Sequence, residues 1–220
     1  MVLALSCCDE MKSIVPPIAQ DLVLVGGGHS HAIALRMFGM KPLPGVRLTL
    51  ISELSDTPYS GMLPGYVAGF YSRDECHIDL RSLCQFAGAQ FYCDRVIGLD
   101  LEQNLVLCEN RPPVRFDLLS LDTGSTPKLP GVMGNPDDVI PAKPVRQFLL
   151  HWKHITETVA SHPEKPLSLA IVGGGAGGVE LALNMQHRIQ KILRNAGQPI
   201  DHLTLHLIHR DAELLPQHNR

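Results

Sequence analysis

The chain has 220 residues, 45% of them hydrophobic and 19% charged, with a net charge of −3. That composition supports a packed core and excludes general disorder, and its slight acidity argues against nucleic acid as a partner. No apolar run reaches the ~18 residues that span a bilayer, so no transmembrane segment is expected.

Residues 1–20 read as a flexible leader. Met1–Cys8 is apolar but lacks a basic start, and it is too short for a signal peptide. The six cysteines (Cys7, Cys8, Cys76, Cys84, Cys93, Cys108) form no C-x-x-C. Neither a zinc knuckle nor a thioredoxin-type pair is expected, and reduced thiols in a cytoplasmic setting are the simplest reading.

The organisation repeats one pattern. Asp21–Val25 is a β-branched run suited to a buried parallel strand. Gly26-Gly27-Gly28 follows, then a predicted helix over His29–Met40, a stop at Lys41–Gly45 and a second strand over Val46–Ile51. A β-rich stretch comes next, with short strands at Ala89–Cys93, Val96–Leu101, Asn104–Cys108 and Phe116–Leu121. Pro127–Pro144 reads as a surface connection, and Val145–Ser161 as a helix ended by His162-Pro163. A boundary is placed there: 21–163 forms one domain and 164–220 a second. The second copy of the pattern runs from a strand at Leu167–Val172, through Gly173–Gly178, to a helix near Val179–Arg194 and a strand at Leu203–Ile208.

Gly173-x-Gly175-x-x-Gly178 is a complete G-x-G-x-x-G between a strand and a helix. Gly173 permits the tight turn, Gly175 lets backbone approach a pyrophosphate, and Gly178 lets helix and strand pack closely. The helix N-terminus adds free N–H groups and partial positive charge. In Gly26-x-Gly28 the third position is His31, a bulky residue expected to push the helix off the strand or to point outward. Two such units suggest paired dinucleotide sites. A ribose partner is expected at the end of each second strand. Ser52 and Glu53 stand there in the first copy, Glu53 lying 25 residues after Gly28. In the second copy the strand ends in His209-Arg210-Asp211, where Arg210 suits a 2′-phosphate and Asp211 keeps NADH open.

No metal site is expected. His29 and His31 diverge on a helix, His151 and His154 lack a third ligand, and a solvated or capping role is the reading for each. Cys76 and Cys84 are read as packed rather than redox-active.

Four segments carry a resemblance. They are Leu24–His31, Thr57–Gly65 (which includes Ser60-Gly61-Met62), Phe116–Ser125 and Gly173–Glu180. The chain resembles the amino-terminal part of the FAD/NAD(P)-dependent pyridine nucleotide-disulfide oxidoreductases, in their type II NADH dehydrogenase-like branch. Within it the chain is most similar to the flavoprotein module fused to selenide, water dikinase. The resemblance implies an α/β protein with two Rossmann-like units, FAD first and NAD(P) second, and a β-rich segment between. It implies that Gly26, Gly27, Gly28, His29 and Ser30 hold the FAD pyrophosphate. Ser52 or Glu53 would meet the ribose, and Val96 the adenine. Ser60, Gly61 and Met62 would lie near the flavin ring, and Thr123 and Gly124 would close that site. Gly173, Gly175 and Gly178 would hold the pyrophosphate of NADH or NADPH, with Arg210 nearby. Glu180 would stand at the nicotinamide–flavin contact as the candidate catalytic residue.

The implied activity is hydride transfer from NAD(P)H to FAD and onward to a small-molecule acceptor such as a quinone, in a cytoplasmic protein or one peripheral to a membrane. A fused or partner selenide, water dikinase is also implied. Thr57–Tyr66 lacks the redox cysteines of the disulfide reductases, so a dithiol route is not expected. The family continues well past the point equivalent to Arg220, so the second unit is expected to be incomplete. The alternative reading is therefore a non-catalytic or regulatory dinucleotide-binding module, or an inactive fragment.

Overall fold

The computed structural model describes residues 17–126 and 138–215. Most of the expected leader, with Cys7 and Cys8, and part of the 127–144 connection lie outside the described residues. The chain divides into two units. One comprises residues up to Ser55 with Leu80–Asp122, and the other Asp56–Asp79 with Thr123 onward.

The first unit begins with β1 (Gln20–Val25), α1 (His29–Met40) and β2 (Val46–Ser52). These fall where the apolar run, the glycine stop and the next β-branched run place them. After α4 (Leu80–Ala87) come β5 (Gln90–Cys93), β6 (Val96–Asp100), β7 (Leu105–Cys108), β8 (Val114–Arg115) and β9 (Leu118–Leu121). The main sheet has the order β5-β2-β1-β9 and is parallel throughout. Leu24 lies opposite both Leu50 and Ser120. The expected β-rich stretch is therefore not one insertion. Its outer strands β5 and β9 complete the parallel sheet, and only β6-β7-β8 form a separate antiparallel sheet.

From Leu22 to Val25 β1 is apolar without alternation because both its faces are covered. Val23 and Val25 pack with Ile51, Val106, Cys108 and Phe116, on the side of the antiparallel sheet. Leu24 packs with Leu35 of α1, Leu48, Leu50, and Leu80 and Cys84 of α4. Each such leucine or isoleucine contributes about 1.5–3 kcal/mol by leaving water.

The second unit holds β3 (Asp56–Pro58), α2 (Leu63–Ala68), α3 (Arg73–Cys76) and β4 (His77–Asp79). It continues with α5 (Val145–Ser161), β10 (Leu167–Val172), α6 (Ala176–Asn195) and β11 (Leu203–Ile208). β3 pairs antiparallel with β4, and β10 parallel with β11. Leu203, Leu205 and Leu207 are half-buried while Thr204, His206 and Ile208 are exposed, the one-faced strand that their alternation predicts.

The core of this unit joins Phe148, Trp152 and Val159 of α5 to Leu181, Met185, Ile189 and Leu193 of α6. Val67 of α2 belongs to the same core, and the Trp152 indole Nε1–H donates to its carbonyl at 3.2 Å. The boundary expected near residue 163 thus falls between two elements, α5 and β10, that pack on one core.

Candidate functional site: two glycine turns

Both glycine clusters fold alike. β1 runs into Gly26 at φ 95°, a conformation that favours glycine, and the Gly26 N–H donates to the Ile51 carbonyl at 2.8 Å. In the second copy Gly173 has φ 132°, and its N–H donates to the Ile208 carbonyl, also at 2.8 Å. Gly28 and Gly175 cap α1 and α6 in extended conformation, and neither cap has a side chain to bond the first turn. Their carbonyls receive Ala32 N–H and Val179 N–H at 3.0 Å each. The repeat in sequence is a repeat in hydrogen bonding.

The third position separates the two. A Cβ on Gly178 would stand 2.0 Å from the Gly173 carbonyl oxygen. Backbone cannot yield that far, so glycine is obligatory there. His31 meets the equivalent carbonyl differently. Its Nδ1 lies 2.7 Å from Gly26 O and its Nε2 lies 2.9 Å from Ser120 Oγ. A carbonyl only accepts, so Nδ1–H donates to Gly26, and Nε2 pairs with the Ser120 hydroxyl. The ring is 2% exposed. The expected solvated or outward histidine is corrected on this point: two hydrogen bonds compensate its burial.

The second position separates them again. Gly175 has φ −75°, which any residue adopts, and a Cβ there would meet nothing within 4 Å. Neither the backbone nor a neighbour requires glycine at 175. An open cleft of about 540 Å³ lies beside it, lined by Val172–Ala176, Ile208–Asp211, Glu213 and Leu215. Bare glycines, a helix N-terminus and adjoining free volume suit a diphosphate. At Gly28 a Cβ would stand 2.2 Å from the Asp122 carboxylate. Asp122 Oδ2 accepts the Ser30 N–H at 2.9 Å and the His31 N–H at 3.4 Å. The chain's own carboxylate therefore caps α1. Gly26 and Gly27 precede that cap, and Ser52 Oγ is 3.0 Å from where Gly27 would carry a Cβ. Sequence reasoning gave Asp122 no role. Its position just before Thr123-Gly124 was the available signal.

The remaining expected residues are distributed as follows. Ser52 is buried and accepts the Leu54 N–H at 3.4 Å. Glu53 is exposed, and its carbonyl receives the Cys93 thiol at 3.7 Å. Val96 opens β6, opposite Cys108. His29 opens α1 beside Ser30. Ser60, Gly61 and Met62 form a 3-10 turn ahead of α2, and Thr123 and Gly124 follow β9; all five belong to the second unit. Glu180 is exposed on the first turns of α6, and its carbonyl receives the Asn184 amide at 2.7 Å. Arg210 lies on the rim of the 540 Å³ cleft.

Near Val96, Asp94 joins β5 to β6. Burial opposes its ionisation, but hydrogen bonds from the Arg95 N–H and from Asn110, with the Arg111 charge, outweigh that and hold its pKa below the ordinary value. Burial pushes the Cys76 and Cys108 thiols up, and none of Cys76, Cys84, Cys93 and Cys108 is in a disulfide. Among the described residues no group of three metal-binding side chains converges. No helix among them is long and apolar enough to cross a membrane.

Residues 20–220 match the family described as pyridine nucleotide-disulphide oxidoreductase. The NADH dehydrogenase-like protein YutJ of Bacillus subtilis (strain 168) is 26% identical over 168 residues, 76% of this chain and 45% of that protein. NDH2 of Plasmodium falciparum, solved in complex with NADH, superposes with a TM-score of 0.70 at 18% identity, over 91% of this chain and 43% of its own. The sulfide:quinone oxidoreductase of Aquifex aeolicus gives a TM-score of 0.64 at 20% identity, over 87% of this chain and 43% of its own. The chain spans less than half the length of each of these proteins. It belongs to the pyridine nucleotide-disulphide oxidoreductase family.

Proposed function

We propose that this chain is the dinucleotide-binding part of an FAD-dependent NAD(P)H oxidoreductase that delivers electrons to a small-molecule acceptor, with a quinone as the leading candidate. Family membership supports the reaction class, and the sulfide:quinone oxidoreductase among the similar structures supports the acceptor. The observation that carries the reading is Gly175. The protein itself gives no reason for a glycine there, and the open cleft beside it gives one.

In this reading Gly26, Gly27 and Gly28 receive the FAD pyrophosphate, with Ser52 beside them. Gly173 and Gly175 receive that of the nicotinamide nucleotide. The bound flavin and nicotinamide supply the hydride chemistry. The chain's own residues bind and orient. The amides at the start of α6 neutralise phosphate charge. Gly178 sets the distance between α6 and β10. Glu180, exposed two residues beyond, is the one carboxylate proposed to act at the reacting rings. A fused or partner selenide, water dikinase is proposed from the Gly26–His31 and Ser60–Gly65 strings.

The experiment is nucleotide binding by the parent chain and by Gly175→Ser. Serine caps a helix at least as well as glycine, so the fold is retained while a side chain enters the diphosphate space. A loss of NAD(P)H affinity of about tenfold or more is expected. Equal affinity in both proteins overturns the reading. Asp122 favours a second reading, a nucleotide-binding module without turnover, because its carboxylate already occupies the α1 amides. A flavin absorption spectrum that bleaches anaerobically with NADH or NADPH decides against the second reading.

A further inference from the structure

We infer that the second glycine turn selects a nicotinamide dinucleotide bearing a 2′-phosphate over one with a free 2′-hydroxyl. The inference rests on the proposed dinucleotide site at Gly173–Gly178. In such units a carboxylate at the end of the second strand accepts the ribose hydroxyls and repels a phosphate. β11 ends at Ile208, and the next residue is His209. Its Cβ and Cγ lie 2.8 and 2.9 Å from where Gly174 would carry a Cβ, so the base of its side chain packs on the turn. The place of the discriminating carboxylate is therefore filled by an imidazole.

Arg210 follows on the rim of the same cleft, with its side chain 94% exposed. Its Nε stands 3.5 Å from Asp211 Oδ1, and Asp211 is itself 64% exposed. Such an exposed pair holds a guanidinium weakly. A phosphate monoester carries nearly two negative charges at neutral pH. It also matches the planar fork of arginine in a bidentate contact, which one exposed carboxylate at this distance does not. Asp211 and Glu213 place two acidic groups on the lining as well. Both come after the strand end, and Asp211 is turned to Arg210.

The test measures binding of NADPH, NADH, 2′,5′-ADP and 5′-AMP to the 220-residue chain by calorimetry, at low and high salt. NADPH is expected to bind about tenfold or more tightly than NADH, and 2′,5′-ADP than 5′-AMP, with both differences shrinking in salt. Arg210→Ala removes the differences, and Arg210→Lys retains part of them because the charge survives without the fork. Asp211→Ala, which frees the guanidinium, widens them. Equal binding, a preference for NADH, or a preference that survives Arg210→Ala overturns the inference and leaves the dinucleotide site standing. Binding of none of the four removes the site itself, and the inference with it.

Discussion

The carboxylate of Asp122 accepts the backbone N–H of Ser30 at 2.9 Å, joining the end of β9 to the first turn of α1 across 92 residues. It does what a capping side chain at Gly28 would do. Replacing it with alanine is expected to cost about 1 kcal/mol, the usual value of a lost N-cap. Replacing it with asparagine keeps an acceptor and removes the charge. In the proposed reading the FAD diphosphate approaches Gly26–Gly28, and a fixed carboxylate charge at that turn opposes its binding. Asp122→Asn is therefore expected to bind FAD several-fold more tightly at low salt, and the gain should fade as salt rises. Equilibrium dialysis with FAD reads this directly. Unchanged affinity would place the carboxylate outside the path of the phosphates.

His31 is held by the Gly26 carbonyl and the Ser120 hydroxyl, and both bonds lie in the packing between α1 and the sheet. His31→Ala leaves a cavity and two unsatisfied polar groups, so a loss of about 2–4 kcal/mol is expected. Ser120→Ala removes one hydrogen-bond partner and should cost about 1 kcal/mol. Urea unfolding of both single variants and the double variant tests the pairing. A coupling of about 0.5 kcal/mol or more is expected, and strict additivity would mean that the contact contributes nothing.

These two residues mark the limit of what periodicity and motif can show. β1, α1, β2, α5, β10, α6 and β11 stand within three residues of where hydrophobic runs and glycine stops predict them, because those signals are local. His31 was legible as a break in the glycine pattern. Its burial was not, since the hydroxyl that satisfies it comes from Ser120, on a strand 89 residues away. The same holds for β5 and β9. Their short apolar runs announce strands, but only long-range pairing places them in the parallel sheet. Asp122 was unreadable for a further reason. A carboxylate after a strand resembles any solvated turn residue until the helix it caps is in place.

Gly177 and Gly178 are adjacent on α6 and face opposite circumstances. A Cβ at 177 meets nothing within 4 Å, whereas one at 178 would stand 2.0 Å from the Gly173 carbonyl oxygen. Gly177→Ala is expected to stabilise by up to about 1 kcal/mol, through helix propensity and a less flexible unfolded chain. Gly178→Ala must push α6 off β10, and a loss of about 3 kcal/mol or more is expected. Thermal unfolding of the two variants side by side checks this. Similar stabilities would mean that α6 does not approach the strand as closely as the third glycine implies.

Asp94 gives the first unit a pH dependence of known sign. Its pKa lies below the ordinary value because hydrogen bonds from Arg95 and Asn110, and the Arg111 charge, outweigh the effect of burial. The unfolded chain then takes up the proton first as pH falls. The stabilisation is complete above the ordinary carboxylate value, near pH ~4. It is lost as pH drops from there through the lower folded value. Glu75, held low by hydrogen bonds with Ser72, titrates in the same window. The informative quantity is therefore the difference between the parent chain and Asp94→Asn. That difference in urea midpoint should be constant from neutral pH to about pH 5 and should shrink steadily below pH ~4. A difference that stays constant through the acid range would show that Asp94 contributes through shape and hydrogen-bond count alone, with no share from its charge.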